Sequence, residues 1–393
     1  MWLPLGVAYV GSLSAVDFVV FNYLGLDTGI SDVLFGVVGA AWSAVYILSN
    51  ELLGRLADRG CYRALAVLSA ASIAAALALI AASRGSSAPL IAAGYMAHAV
   101  AVASANLSLS AGIFELQPAS EWDSSTSLQR LGLHAVRGAA LLAVSLALGA
   151  LGSYVLGAVA GLALALGLSY AASLPLPWLL GLERRLARAL SRLSAVSAYS
   201  AGVGAFVYGR YDLAVRIAGA VSRGRGRPSA VALSASLSTF VGDYMLTALP
   251  LVFRGLDLSL SQYSMAFGLA SLAAAAALAV LEGSTFGRPA LAAILLARGL
   301  WMALALPLAD SLAGLAAYVS VGLLIYSLAD LMLYRLYYSL SEGYGVHRYM
   351  VMRELGSMLG SLAAGAAVQA GGELFLALPV AAAAASSALL TLA

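Results

Sequence analysis

Gly54-Arg55-Leu56-Ala57-Asp58-Arg59 stands between two long apolar runs and is followed closely by Arg63. Charged side chains are costly in hydrocarbon unless partnered, so this short basic stretch marks a membrane surface. The runs on either side then read as bilayer crossings. Composition points the same way. Of 393 residues, 62% are hydrophobic and 10% charged, with a mean hydropathy of +0.94. Soluble domains carry about 25% charged residues. A transmembrane barrel would show short alternating segments, whereas this chain has continuous Ala/Leu/Val/Gly runs. A polytopic helical membrane protein is the expected class.

A hydrocarbon core of about 30 Å takes roughly 20 helical residues per crossing. The apolar runs place crossings near 3–24, 33–54, 64–83, 89–114, 132–152 and 154–176, then near 230–252, 261–282, 290–308, 312–334, 350–370 and 374–392. All 21 basic residues are arginine. With a cytoplasmic N-terminus, every one of them falls at or near the inner face except Arg84, Arg254 and Arg298. That bias fixes the orientation, with both termini cytoplasmic, and supports twelve crossings. The net charge of +3 at pH 7 adds little. Cys61 is the single cysteine, so neither an intrachain disulfide nor a multi-cysteine metal site is available. Asp17 lies inside the first apolar run, which reads as a retained helix and not a signal peptide.

The G-x-L-A-D-R pattern at 54–59 resembles the loop between helices 2 and 3 of major facilitator superfamily transporters. In that family an aromatic, a glycine and two basic residues usually follow; here the continuation is Gly60-Cys61-Tyr62-Arg63. An internal repeat accompanies the motif. Asp17, Gly25-Leu26-Asp27 and Phe35-Gly36 in the first half echo Asp243, Gly255-Leu256-Asp257 and Phe267-Gly268 in the second. Phe286-Gly287-Arg288 echoes the usual ending of the signature. Repeated halves are common in secondary transporters. The expected fold is therefore all-α and integral to the membrane, with twelve transmembrane helices in two pseudo-symmetric six-helix bundles.

The bundles are expected at 1–181 and 229–393, joined by a cytoplasmic loop at 182–228. Within it, residues 183–193 place leucines and alanines on one helical face with Arg184, Arg185, Arg188 and Arg192 opposite or beside them, suiting the inner leaflet. Residues 198–221 are apolar but carry Arg210, Asp212 and Arg216, which favours an interfacial segment over an extra span.

Asp17 and Asp243 are the leading intramembrane candidates. A central Asp costs about 2.5–3.5 kcal/mol on an insertion scale, so each should face a cavity or a partner. The resemblance implies that helices 1, 4, 7 and 10 line a central cavity, which adds Asn106 and Asp330. Asp330 has Arg335 or the inner mouth as possible partners. A carboxylate removed from water can serve as a proton carrier. Arg298 lies deep in span 9 and should find an acid or backbone carbonyls. Arg130, His134 and Arg137 share one helical face, suited either to an anionic substrate or to inner-gate acids. Arg353 and Glu354 lie at similar depth. His98 reads as a relay or as a structural histidine.

The resemblance also assigns an inner-gate motif. Gly54 and Asp58 belong to it, with Asp58 set against the N-terminal end of helix 11, and Arg59 or Arg63 paired with Glu115. Gly138, Gly149 and Gly152, with Gly356, Gly360 and Gly365, would permit close packing between the halves. The Gly-Pro motif of drug–proton antiporters is absent from span 5.

Together these readings give a secondary active transporter working by alternating access on a small molecule in the cell membrane, as a monomer. Coupling to protons and facilitated diffusion are both open. Alternatives are a transporter-like sensor, a lipid scramblase or a membrane-embedded enzyme. Three scattered histidines and one cysteine offer no nucleophile–base arrangement. A phosphate-binding Gly-x-x-x-x-Gly-Lys loop is impossible without lysine, which disfavours an ATP-driven pump. No cofactor, metal site or nucleic-acid partner is expected.

Overall fold

Hydropathy and helix-end chemistry together divide the chain into twelve α-helices among the described residues of a computed structural model. Those residues are 1–84, 87–117, 121–152, 154–175, 228–252, 259–281, 287–304, 311–341, 346–370 and 374–392. The first six helices are α1 Trp2–Asp27, α2 Asp32–Asp58, α3 Tyr62–Ser83, α4 Ala88–Leu116, α5 Trp122–Leu151 and α6 Tyr154–Ser173. The second six are α7 Pro228–Val252, α8 Leu260–Val280, α9 Arg288–Leu304, α10 Leu312–Ser341, α11 Val346–Ala370 and α12 Leu374–Leu392.

Eight helices, α1 to α6, α8 and α10, are long and apolar enough to cross a membrane. The other four lie in the second half, where α7 is rich in serine, α9 spans 17 residues and α11 carries Arg353 and Glu354. Segment 183–193, segment 198–221, the Gly255-Leu256-Asp257 turn, Arg254 and Phe286 lie outside the described residues.

Local chemistry sets the helix ends. Ser31 caps α2 by accepting from the Leu34 N–H, and Ser259 with Gln262 forms a reciprocal capping box on α8. The opening hexapeptide is not a loop. Its first five residues form the last turn and more of α2, and only Arg59–Cys61 connect to α3. Gly60, at φ +71, donates to the Ala57 carbonyl at 2.8 Å, and the Cys61 N–H donates to Leu56 at 2.9 Å. This is a Schellman ending, and the left-handed residue it needs is the glycine. Gly25-Leu26-Asp27 is likewise the last turn of α1 rather than a turn beyond it. Phe35 lies in the first turn of α2, while Phe267 lies two turns into α8.

Polar staples tie helices within each half. The Tyr9 hydroxyl on α1 meets Ser69 Oγ on α3 at 2.6 Å, and Ser69 donates to the Ala101 carbonyl on α4. In the second half Ser234 on α7 and Ser386 on α12 donate to each other's carbonyls at 2.9 and 2.8 Å. Between α9 and α10, Trp301 Nε1 donates to the Tyr318 carbonyl and the Tyr318 hydroxyl donates to the Met302 carbonyl, each at 3.0 Å.

Two seams join the halves. At one, α2 packs on α11: a Cβ on Gly36 would stand 2.7 Å from the Ser361 carbonyl, and Ser43 Oγ lies 2.9 Å from Ser357 Oγ. At the other, α5 packs on α8: a Cβ on Gly138 would stand 2.9 Å from the Gly268 carbonyl, and Ser261 donates to the Ser145 carbonyl at 2.9 Å. Advancing every helix by six maps α2 onto α8 and α5 onto α11, so each seam is the counterpart of the other. Small residues on both sides allow this close approach.

Candidate functional site

A cavity of about 290 Å³ lies between the halves and is walled by residues of α1, α2, α4, α5, α7, α8, α9, α10 and α11. Asp17, Asp243, Asp330, Asn106, Arg137, Arg298, His134 and Arg353 all line it. Each of them is a polar position within a mostly apolar span, which is what marks it in the sequence.

On α1, Asp17 accepts a hydrogen bond of 2.8 Å from the Tyr95 hydroxyl of α4. Tyr95 belongs to an aromatic wall, stacking with Phe21, with Trp42 and with the His98 ring. Asp243 on α7, the counterpart helix, is hydrogen-bonded to Ser357 of α11. Asn106 donates to the Tyr46 hydroxyl at 3.3 Å.

His98 is fully buried and does not line the cavity. Trp42 Nε1 donates to its Nδ1 at 3.3 Å, and Nε2 lies 2.9 Å from the Leu13 carbonyl. Those partners assign one neutral tautomer, with the proton on Nε2. A second proton on Nδ1 would face the Trp42 N–H. The structural role, not the relay, fits this geometry.

Arg298 is 1% exposed. Its guanidinium donates to the Ser238 carbonyl and to Ser238 Oγ, the latter at 2.7 Å, and lies 4.5 Å from the Tyr326 ring centroid. It is seated against Gly242, where any Cβ would collide with the guanidinium. Of the partners expected from the sequence, a backbone carbonyl is the one found. Arg137 donates from Nε to Ser271 Oγ at 3.0 Å, and its Nη2 lies 3.3 Å from His134 Nδ1. His134 Nε2 in turn lies 2.9 Å from Ser327 Oγ, which donates to the Leu323 carbonyl. A directed chain thus runs from α5 to α10.

At the end of the bundle where α4 leads to α5 and α10 to α11, four charges form a network. Asp330 on α10 is 2.8 Å from Arg130 on α5 and 3.6 Å from Arg353 on α11, and Arg353 is 3.0 Å from Glu354. The first of these contacts crosses between the halves. Arg335, the partner considered for Asp330, instead donates to Ser127 Oγ at 2.5 Å. Five residues along a helix turn it away from Asp330, as the spacing rule requires. Near the opposite end, Phe18 of α1 and Phe267 of α8 meet with centroids 4.5 Å apart, again between the halves.

Gly54 is buried, Arg59 exposed, and Arg63 and Glu115 half-buried at the ends of their helices. The Asp58 side chain lies outside the described part. The residues that sequence reasoning passed over are mostly aromatic or hydroxylic: Trp42, Tyr95, Tyr326, Ser43 and Ser357. The serines gave no separate signal, because small-residue patterns alone do not distinguish a hydrogen-bonding serine from a packing one.

No protein-family model matches the sequence. No curated protein matches it either. Solved structures do. The chain is similar to a partially occluded inward-open conformation of the xylose transporter XylE from E. coli, with TM-score 0.66 and 16% identity over 99% of this chain and 96% of that one. It is similar to a D-xylose-proton symporter, with TM-score 0.66 and 16% identity over 97% and 95%. An inward-open conformation of XylE from E. coli gives TM-score 0.62 and 14% identity over 97% and 93%. These likenesses establish the fold across nearly the whole chain: all-helical, of the major facilitator type.

Proposed function

We propose that this chain is a secondary active transporter that moves a small polar solute across the membrane by alternating access, with protons as the coupled ion. The observation that carries this reading is the pair Asp17 and Asp243. They lie on counterpart helices and both face one cavity between the halves. An acid in a bilayer-spanning helix is tolerated where it faces a polar or wet interior. A solute bound between two repeats can be presented to either side by rocking one repeat on the other.

The solved transporters of this fold, described as carriers of xylose and in one case as proton symporters, support a solute-and-proton pairing. The arginine distribution supports cytoplasmic termini in a cell membrane. Bundles at 1–181 and 229–393 around a cytoplasmic connector, working as a monomer, complete the proposal. The charge network at Arg130, Asp330, Arg353 and Glu354 then closes the inner side. Asp58 at the end of α2 latches the same side against α11.

The test begins with thermal-shift screening of the purified protein, followed by counterflow and proton-gradient-driven uptake of each hit in proteoliposomes. Asp17→Asn and Asp243→Asn are expected to retain counterflow while gradient-driven accumulation falls to background. Undiminished accumulation by both variants would remove proton coupling through these acids. A smaller effect is expected at the inner latch. Asp58→Ala should slow uptake while leaving yield and elution profile unchanged, and full-rate uptake would dismiss the latch.

A further inference from the structure

Of the four arginines that line the cavity, two are paired with carboxylates and two are not. Arg130 and Arg353 each have a carboxylate within ion-pair distance. Among the described residues neither Arg298 nor Arg137 has a carboxylate within ion-pair distance: the groups in direct contact are neutral, Ser238 and Tyr326 for one, Ser271 and His134 for the other, while Asp243 and Asp17 act on them only from farther off. Arg298 is almost wholly buried, and its Nε has no hydrogen-bond partner among the described residues. Leaving a guanidinium in such a place without a counter-charge costs several kcal/mol. Neutral donors and acceptors orient it without neutralising it.

Arg298 lies over the Tyr326 ring, and the two arginines reach the same cavity from different halves, Arg137 on α5 and Arg298 on α9. Arg137 is held by the directed chain through His134 and Ser327, and Arg298 by Ser238. Each guanidinium therefore keeps a fixed plane and spare N–H donors. A planar, fixed fork of donors is the arrangement that recognises carboxylate geometry.

Resting on the transporter reading above, we infer that the solute carries a carboxylate or comparable oxyanion, which docks between Arg137 and Arg298 against Tyr326. Asp17 and Asp243 line the same cavity, each bonded to a hydroxyl and neither within ion-pair distance of an arginine among the described residues. An uncharged solute would leave the two arginines and the two acids without a direct ionic partner. A carboxylate entering with protons, or a zwitterion whose ammonium sits at the acids, supplies one to both pairs.

Neutral sugars are the solutes named for the solved transporters of this fold, so the inference separates this cavity from theirs. The oxyanion would also connect the halves through one ligand, because its two arginines belong to different bundles.

Thermal stabilisation and titration of the full-length protein in detergent test this with five sets of probes. Xylose and glucose are neutral, acetate, succinate and glucuronate are anions, glucosamine and choline are cations, alanine is a zwitterion, and sodium chloride is the ionic-strength control. Saturable stabilisation by one or more of the anions or by alanine, beyond the salt control, is expected. Arg298→Gln and, independently, Arg137→Gln should weaken it about tenfold to a hundredfold, the range for a lost charge-assisted hydrogen bond. Arg137→Gln retains the Arg298 scaffold, so a misfolded Arg298 variant does not block the test.

For alanine, a further loss in Asp17→Asn assigns the ammonium to the acids. Stabilisation confined to neutral or cationic probes, no response to any carboxylate, or carboxylate binding unchanged in both arginine variants overturns the inference. Carboxylate binding without counterflow would instead overturn the transporter reading and leave the oxyanion site standing.

Discussion

In Asp330→Asn, the end of the cavity bridged by the Arg130–Asp330 pair is expected to open roughly a hundredfold to a thousandfold more often than in the parent protein. The side chains of Arg130 and Asp330 are only 14% and 9% exposed, and their 2.8 Å contact joins α5 to α10. Removing one member of a buried pair costs about 3–5 kcal/mol, because the remaining charge keeps its desolvation and loses its partner. Arg353 does not rescue Arg130, since it is itself a cation and is engaged by Glu354 at 3.0 Å. Stacking of Arg130 over Tyr334, at 5.3 Å, contributes too little to compensate. When the halves part, water reaches Arg130 and restores its solvation, so the cost falls on the closed arrangement alone. Each 1.4 kcal/mol is tenfold in population, which gives the stated range. The readout is alkylation of a cysteine at cavity position 323, introduced by Leu323→Cys in a Cys61→Ser background. Unchanged alkylation would show that the network does not hold this end shut. Asp330→Glu should recover most of the protection.

Gly356→Ala is expected to be the most damaging single methyl group in the protein. A Cβ there would overlap the Ser236 carbonyl oxygen of α7 and stand 2.6 Å from the Ser236 carbonyl carbon. One turn later, a Cβ at Gly360 would be 2.5 Å from the Phe240 carbonyl and 3.0 Å from the Tyr244 nitrogen. Both obstacles are backbone, so no rotamer change relieves them, and α11 would have to withdraw from α7 along its length. Overpacking of ordinary cores costs about 1–3 kcal/mol; with backbone on the far side the cost should sit at or above the upper figure. Gly161→Ala on α6 is the control, since nothing lies within 4 Å of a Cβ at that site. Monodisperse yield and thermal midpoint should collapse for the first variant and stay at parental values for the second. Equal behaviour of the two would refute the packing account.

Helix existence was legible because lipid imposes a length and an apolar composition that few other structures share. Helix extent was less so. Span 5 was placed from 132, yet α5 begins at Trp122; span 10 was placed to 334, yet α10 runs to Ser341. Hydropathy measures the lipid crossing, and helices continue past it through charged turns such as the one holding Arg130. The intramembrane acids and arginines stood out for the same reason that they matter, the cost of charge in hydrocarbon. Their partners did not. Arg130 and Asp330 are separated by 200 positions, and no local rule joins them. The serine pairs were equally hidden, since a serine in a packed helix looks like any other small residue until its neighbour across the seam is known.

Ser357 stands where two demands on one hydroxyl meet. It touches Asp243 on one side and Ser43, across the α2–α11 seam, on the other. A hydroxyl has a single hydrogen to give. With a bare carboxylate beside it, that hydrogen is drawn to Asp243, and Ser43 must supply its own to complete the contact. Once Asp243 is protonated and donates, Ser357 is released to donate outward and Ser43 becomes the acceptor. In the proposed carrier, arrival of one proton would thus reverse the polarity of a bond between the two halves, so that occupancy inside the crevice is reported at the seam without any side chain having to travel.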